Sequence, residues 1–339
     1  MTASAARRVA MIADADGWRG PAGAARPDAH HREWQHFVLF GPDGPLVFNL
    51  CLEPDGTGRI ITLHGAGGGG GWRGHVATCA APRLSPARID ADFGCAGMRF
   101  RADRYELWQH GDGVRFEASL LPASTPSLSH HIGFGRGARV SWCLVPRLFA
   151  RGWLDLGGRR VHFDRVAAYH DHNWGSVGWG DDFAWDWGVA MPDDPGSPWT
   201  VVFTRMMDRA RHRTTATSLF LLEDGDHLRY LRNDQVRFET DGVFEPPAAC
   251  RIPPAAALLA PDRDRDVPRH LAFLGVRDDD RVAGELEPTS RAQILIPSDA
   301  DVRRVVRMNE IAARARIAGR CAGRALGFEG TALVEVVRG

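Results

Sequence analysis

The run "RRVHFDRVAAYHDHNWG" (residues 159–175) is rich in Val, Phe and aromatic residues, ends on glycine, and reads as an extended strand. Side chains alternate along an extended chain, so Tyr169, Asp171 and Asn173 share one face while His170, His172 and Trp174 share the other. Asp171 and His172 then point opposite ways unless a bulge intervenes. In the next apolar run, "FAWDWGV" (residues 183–189), Phe183, Trp185, Trp187 and Val189 line one face, with Asp182, Ala184 and Asp186 opposite. Two neighbouring strands of this kind can place carboxylates and aromatic rings around one cavity.

The same character extends in both directions. Short runs of Val, Ile, Phe, Trp and Thr separated by Gly, Pro and Asp recur along the chain, among them "EWQHFVLFG", "RIITLHG", "WTVVFTRMMD" and "TALVEVV". In "VRFEASL" (residues 114–120), Val114, Phe116, Ala118 and Leu120 alternate with polar partners, as one buried and one wet face require. The chain therefore reads as all-β, with no short repeat period that would indicate a solenoid or propeller. Strands on each side of residue 180 suggest two consecutive antiparallel β-barrels or strongly bent sheets, which close the edges so many strands expose. The expected division is a partly disordered N-terminus over 1–27, a first domain over 28–180 and a second over 181–339. Two segments have helical character: 254–262, and 308–320, the latter equally readable as a strand.

Composition narrows the chemistry. The 42 cationic and 42 anionic side chains balance, so no global field favours a polyanion, and nucleic acid is not an expected partner. Every one of those cations is arginine; without lysine there is no Schiff-base chemistry, pyridoxal-phosphate anchor or lysine-bearing phosphate loop. The six cysteines are scattered without a C-x-x-C pair, as buried thiols in a reducing compartment would be. The opening residues carry too short an apolar run for a signal-peptide core or a membrane span. A cytoplasmic location is expected, and a peripheral membrane contact is compatible with it.

The glycine run after "RIITLH" places Gly65, Gly67 and Gly70 in a G-x-G-x-x-G register, but the residues that follow, with Gly74 and Pro82, make a poor helix for holding a pyrophosphate. A hairpin loop or cavity lip is the better reading. Around residues 167–180 three readings fit the spacing. His170 and His172, at i and i+2 of a strand, can ligate a metal with His162 or a carboxylate, although no further compact His or Cys cluster supplies ligands. Alternatively, Asp171 and His172 make buried hydrogen bonds while Trp174 packs and Gly175 and Gly178 permit a bend. In the third reading the cluster is catalytic, consistent with the cost of burying so many polar groups in a mere corner. A G-x-S-x-G elbow and a cysteine flanked by a base are both missing from the sequence.

The segment "SWCLVPRLFARGWLDLGGRRVHFDRVAAYHDHNWG" (residues 141–175), with its G-x-L-x-L-G-G element and its Y-H-D-H-N-W-G ending, resembles the carotenoid 1,2-hydratase (hydroxyneurosporene synthase) family. It is similar also to kievitone hydratase and the lipocalin-like Diels–Alderases. The likeness covers about residues 141–188, with weaker similarity in "EWQHFVLFG" and the closing "LGFEGTALVEV". It implies two consecutive lipocalin-like β-domains, with chemistry near their junction, acting without a redox cofactor on a hydrophobic isoprenoid, polyene or polyketide. Carried over, the motif falls on Tyr169, Asp171, His172, Asn173 and Trp174. The chain departs from the carotenoid hydratases after "WTVVFTRMMD", where no Tyr-x-Asp pair follows.

Such residues suit alkene hydration or its reverse. An aspartate enclosed by apolar rings keeps its proton to higher pH, and tryptophan faces stabilise a tertiary cation by roughly 1–2 kcal/mol each once water is excluded. The sequence reading makes Asp171 the acid and His172 its partner, with Tyr169, His172 or Asn173 positioning water. His170 is a further substrate contact; Trp174, Trp185 and Trp187 form the box, and Asp186 is the rival acid. A hydratase or dehydratase is the leading activity, a cyclase or isomerase the second, and a carrier of a hydrophobic ligand the non-catalytic alternative.

Overall fold

The computed structural model describes residues 3–20, 30–65, 71–134, 138–245, 250–259, 267–301 and 303–338. The glycine run over 66–70 lies outside them. Two compact units are present, the first built on most of the chain to Val177 and the second on the chain from Gly178. Both are β-sheets, as the alternation required.

The first sheet has twelve strands. Four of them meander in sequence: His31–Gly41, Gly44–Leu52, Gly58–Gly65 and Trp72–Cys79. The long hairpin of Ala138–Leu156 and Arg159–Ser176 then returns, its second strand pairing antiparallel with His31–Gly41. The sheet curls around one apolar core that includes Phe37, Phe48, Ile60, Phe116, Leu154 and Ala168. The ten-stranded second sheet repeats this plan, because its last strand, Arg324–Arg338, comes back to pair with its first, Ala184–Pro192. Its core gathers Val201, Phe203, Leu219, Phe273, Ile311 and Val334. Among the described residues no helix is long and apolar enough to cross a membrane.

Three segments show what tertiary context adds. Residues 305–321 form a strand, and its buried alternation from Ile311 to Ile317 places every second residue in the core. Residues Pro254–Leu259 make only a 3₁₀ turn. The N-terminus, expected to be partly disordered, forms a helix over Ala3–Ala15. That helix and the turn after it bury Ile12 and Trp18 in the first core.

Gly175, next to last in the decisive strand, is glycine for a steric reason: a Cβ there would lie 1.9 Å from the Arg139 carbonyl oxygen of the neighbouring strand. Gly175→Ala is expected to destabilise the first unit by about 2 kcal/mol, because backbone rather than a movable side chain must give way. Hydrogen exchange of the Ala138–Leu156 strand reads that loss; unchanged protection would show that the sheet absorbs the methyl.

Candidate functional site

The two faces of the strand Arg159–Ser176 carry two different polar clusters. From His170 to Ser176 the register with both neighbours runs without a shift, and with His31–Gly41 it does so from Ala168; on the side of Ala138–Leu156 one irregularity, between Val145 and Leu148, lies opposite Tyr169 and a second falls between Ala150 and Gly152. Asp171 and His172 therefore point to opposite faces. The Asp171–His172 partnership expected from sequence is replaced by separate partners for each.

On the core side the N-terminal helix delivers Asp16. Its Oδ2 lies 3.0 Å from His170 Nε2 and accepts a 2.6 Å hydrogen bond from the Tyr105 hydroxyl. Its Oδ1 makes a 3.1 Å ion-pair contact with His172 Nδ1. The other nitrogen of His172 lies 2.7 Å from Glu33 Oε1. Glu33 also accepts from the backbone N–H groups of Arg19 and Gly20, at 2.6 and 2.7 Å, and so holds the turn after the helix. His170 stacks on Phe37 at 4.0 Å and places Nδ1 3.0 Å from the His36 carbonyl oxygen. All four ring nitrogens of His170 and His172 thus face protein acceptors, a geometry of anchoring rather than of convergence on one ion.

Burial alone would lift both carboxyl pKa values and lower that of the imidazole, but mutual pairing outweighs it. The His170 and His172 charges hold Asp16 well below the usual carboxylate range. Glu33 falls to about 2 through hydrogen bonds from His172, His31 and the Arg19 backbone, and His172 rises to about 9 between the two carboxylates. Trp174 packs on His172 at 4.8 Å between ring centroids, and the Arg19 guanidinium lies 5.0 Å over its ring.

On the opposite face Asp171 is buried at 4 % exposure, between His36 on one neighbouring strand and Leu144 on the other. The Tyr169 hydroxyl donates to its Oδ2 at 2.8 Å, and the Asn173 amide to its Oδ1 at 2.7 Å. Val38 stands beside Tyr169, and Trp34 and Trp142 flank Asn173. Burial raises the Asp171 pKa to about 6, against hydrogen bonds from Tyr169, Trp142 and Asn173 and the nearby His170 charge. Burial and the same His170 charge take His36 down to about 3, so its ring is neutral where Asp171 titrates. Asn49 Nδ2 lies 3.4 Å from His36 Nδ1. A carboxyl that exchanges its proton near neutral pH, held by a phenol and an amide, is equipped for acid–base catalysis.

The remaining expected residues belong to the second unit. Asp186 is fully buried and accepts from Arg205 and Arg211, an ion-pair arrangement rather than that of a proton donor. Trp185 stacks with Phe183 at 5.5 Å and approaches Trp179 at 5.9 Å, while its indole nitrogen donates to Glu335. Trp187 is buried on the same strand face as Trp185. Sequence reasoning missed Asp16, Glu33, His36, Tyr105 and Trp142. One signal was present: in "EWQHF" Glu33 and Gln35 occupy the face that Phe37 carries into the core.

No family model matches the chain, and no curated protein sequence does. Solved structures do. A candidate AttH from Nitrosomonas europaea superposes with a TM-score of 0.62 at 17% identity, over 94% of this chain and 95% of that one. Kievitone hydratase from Nectria haematococca gives 0.61 at 11% identity, over 96% and 97%. CghA with Sch210972 gives 0.54 at 13% identity, over 95% and 96%. The chain therefore has the two-unit, lipocalin-like β architecture of these proteins along nearly its whole length, in agreement with the resemblance noted from sequence.

Proposed function

We propose that the protein is a cofactor-independent carbon–oxygen lyase, a hydratase or dehydratase of a hydrophobic isoprenoid or related natural product, with Asp171 as the proton-transferring group. The observation that carries this reading is the Asp171 carboxyl, buried, held by Tyr169 and Asn173, and raised to about 6. Protonated, it can deliver its proton to an alkene carbon; ionised, it can take one from water or from carbon in the reverse direction. Tyr169 and Asn173 fix the carboxyl, and Trp142 and Trp34 supply aromatic surface on the same face. The fold shared with kievitone hydratase supports the reaction class by analogy. His170 and His172 act in this reading as the ion-paired backing of the strand, not as acid and base.

A cyclase or isomerase acting on a terpenoid or polyketide is the second reading. It is favoured by the resemblance of the 141–188 segment to the lipocalin-like Diels–Alderases. One experiment separates the two readings: incubation with lycopene, or with any hydrophobic molecule extracted from the purified protein, in ¹⁸O-labelled water. Hydration gives a product that has gained one labelled water. A product of unchanged mass identifies an isomerase or cyclase, and recovery of every such ligand unaltered identifies a carrier.

A further inference from the structure

The second unit buries more positive than negative charge at one end of its core. Asp186 and Arg205 lie opposite each other on paired strands, and Arg205 donates to Asp186 Oδ2 through Nε at 2.9 Å and also through Nη2. Arg211 donates to the same oxygen at 2.8 Å. It does so from the tip of the hairpin that follows the strand Trp199–Met207, where its backbone has φ 61°, the left-handed region that costs a non-glycine residue roughly 1 kcal/mol. The turn that imposes this conformation is closed by the Asp208 carboxylate, which accepts from the His212 and Arg213 backbones. An arginine at a hairpin tip would ordinarily extend into water; this one is folded inward until 14% of its side chain is exposed.

Two guanidiniums share one carboxylate, which leaves a positive charge in excess. Such an excess is costly at low exposure unless an anion meets it. Arg205 can meet one directly from the wall of a neighbouring cavity, whereas Arg211 does not line that cavity and adds only its charge. Nη1 of Arg211 and Oδ1 of Asp186 are buried without a hydrogen-bond partner among the described residues, and the hydrogen bonds of Arg205 to Asp186 run through Nε and Nη2. Arg205 lines a cavity of about 500 Å³, together with Thr215, Thr217, Asn233, Val236 and Phe238. Its guanidinium lies 5.4 Å from the Phe238 ring centroid. Arg237 and Glu239, both exposed and of opposite charge, also line it. A cavity of this size fits a small molecule; Phe238 and Val236 give it an apolar wall, and the threonines and Asn233 give it neutral hydrogen-bonding groups.

We propose that this end of the second unit binds a small organic carboxylate, its anion held by Arg205 and the excess charge of Arg211 and its carbon skeleton lying along Phe238, with Asp186 as the internal anion that braces the two arginines. The site lies wholly in the second unit and involves none of the Asp171 cluster, so it stands or falls independently of the lyase reading. A bare inorganic anion would use the arginines but not the apolar wall.

The test is a ligand-observed NMR titration of the full chain with benzoate, its neutral counterpart benzamide, and inorganic phosphate. Benzoate is expected to bind, benzamide not to bind, and phosphate to displace benzoate only at much higher concentration. Arg211→Gln leaves Asp186 and Arg205 as a balanced pair and keeps the fold; it is expected to weaken benzoate about tenfold or more. Asp186→Asn frees both arginines from their internal anion and is expected to strengthen benzoate by a similar factor. The proposal is overturned if benzamide binds as well as benzoate, if phosphate competes on equal terms, if benzoate does not bind the unmodified chain, or if Arg211→Gln binds benzoate unchanged.

Discussion

Asp171→Asn is expected to lower turnover by about 10²–10⁴-fold while making the folded protein more stable at neutral pH. The amide cannot give or take a proton on the carbon skeleton of a substrate, so the chemical step loses its acid–base partner. The geometry can survive, because the Tyr169 hydroxyl is able to rotate from donor to acceptor, and Asn173 can keep one carbonyl oxygen as its partner. The gain in stability follows from the sign of the shift. The folded carboxyl, at about 6, still holds a proton in the range where an unfolded aspartic acid has lost it. Stability from this group is therefore present at low pH and falls as pH rises from about 4 through 6; the loss is on the order of 3 kcal/mol. Asn carries no charge and escapes that loss. If Asp171 is the proton-transferring group, the pH profile of kcat/KM of the unmodified protein should show an inflection near 6. Paired measurements of turnover and of hydrogen exchange at pH 7 decide the matter: an Asp171→Asn variant with full activity removes Asp171 from the chemistry. A variant both inactive and less stable would mean that Asp171 is a structural anion.

Much of this arrangement is legible along the strand itself. Alternation correctly assigns Tyr169, Asp171 and Asn173 to one face and His170, His172 and Trp174 to the other, because the strand pairs with His31–Gly41 without a shift and with Ala138–Leu156 without one from His170 onward. What alternation cannot supply is the partner of each group. Asp16 meets His170 across 154 residues of sequence, and Tyr105 meets Asp16 across 89. The N-terminal segment is expected from sequence to be partly disordered, because a helix that short is marginal without tertiary packing. It is ordered because Ile12, Asp16 and Trp18 find places in a core made by distant strands. The aromatic box met the same limit. Trp174 belongs to the first unit, packed on His172, whereas Trp185 belongs to the second, packed on Phe183 and Trp179. The segment at 308–320 has helical composition, yet strands on both sides supply it with ladders, unbroken against Arg324–Arg338 and shifted once, between Pro288 and Ser290, on the other side, and pairing decides.

Asp16→Ala is expected to destabilise the first unit by about 3–5 kcal/mol, the loss typical of removing one partner from a buried ion pair. Its carboxylate is shared by His170, His172 and Tyr105, all three buried away from solvent. The helix Ala3–Ala15 should then detach, because Asp16 is the polar group that seats its C-terminal end in the core. Hydrogen exchange of residues 12–20 and of the strand Arg159–Ser176 reads the first unit separately from the second. The same network sets a pH dependence whose sign can be worked out. His172, raised to about 9, contributes stability that is complete below about 6.5 and is lost as pH rises toward 9. Asp16 and Glu33, both depressed, contribute stability that is complete above about 4.5 and is lost in acid. Between pH 7 and 8.5, above the range in which unfolded histidines and Asp171 exchange most of their protons, the imidazolium alone among these groups changes its proton occupancy on unfolding, so first-unit stability should fall by roughly 1 kcal/mol per pH unit. His172→Gln should flatten that slope while lowering stability at pH 6. If the slope persists without His172, the proton released on unfolding comes from another group, and the carboxylate–imidazolium pairing is not what secures the N-terminal helix in the sheet.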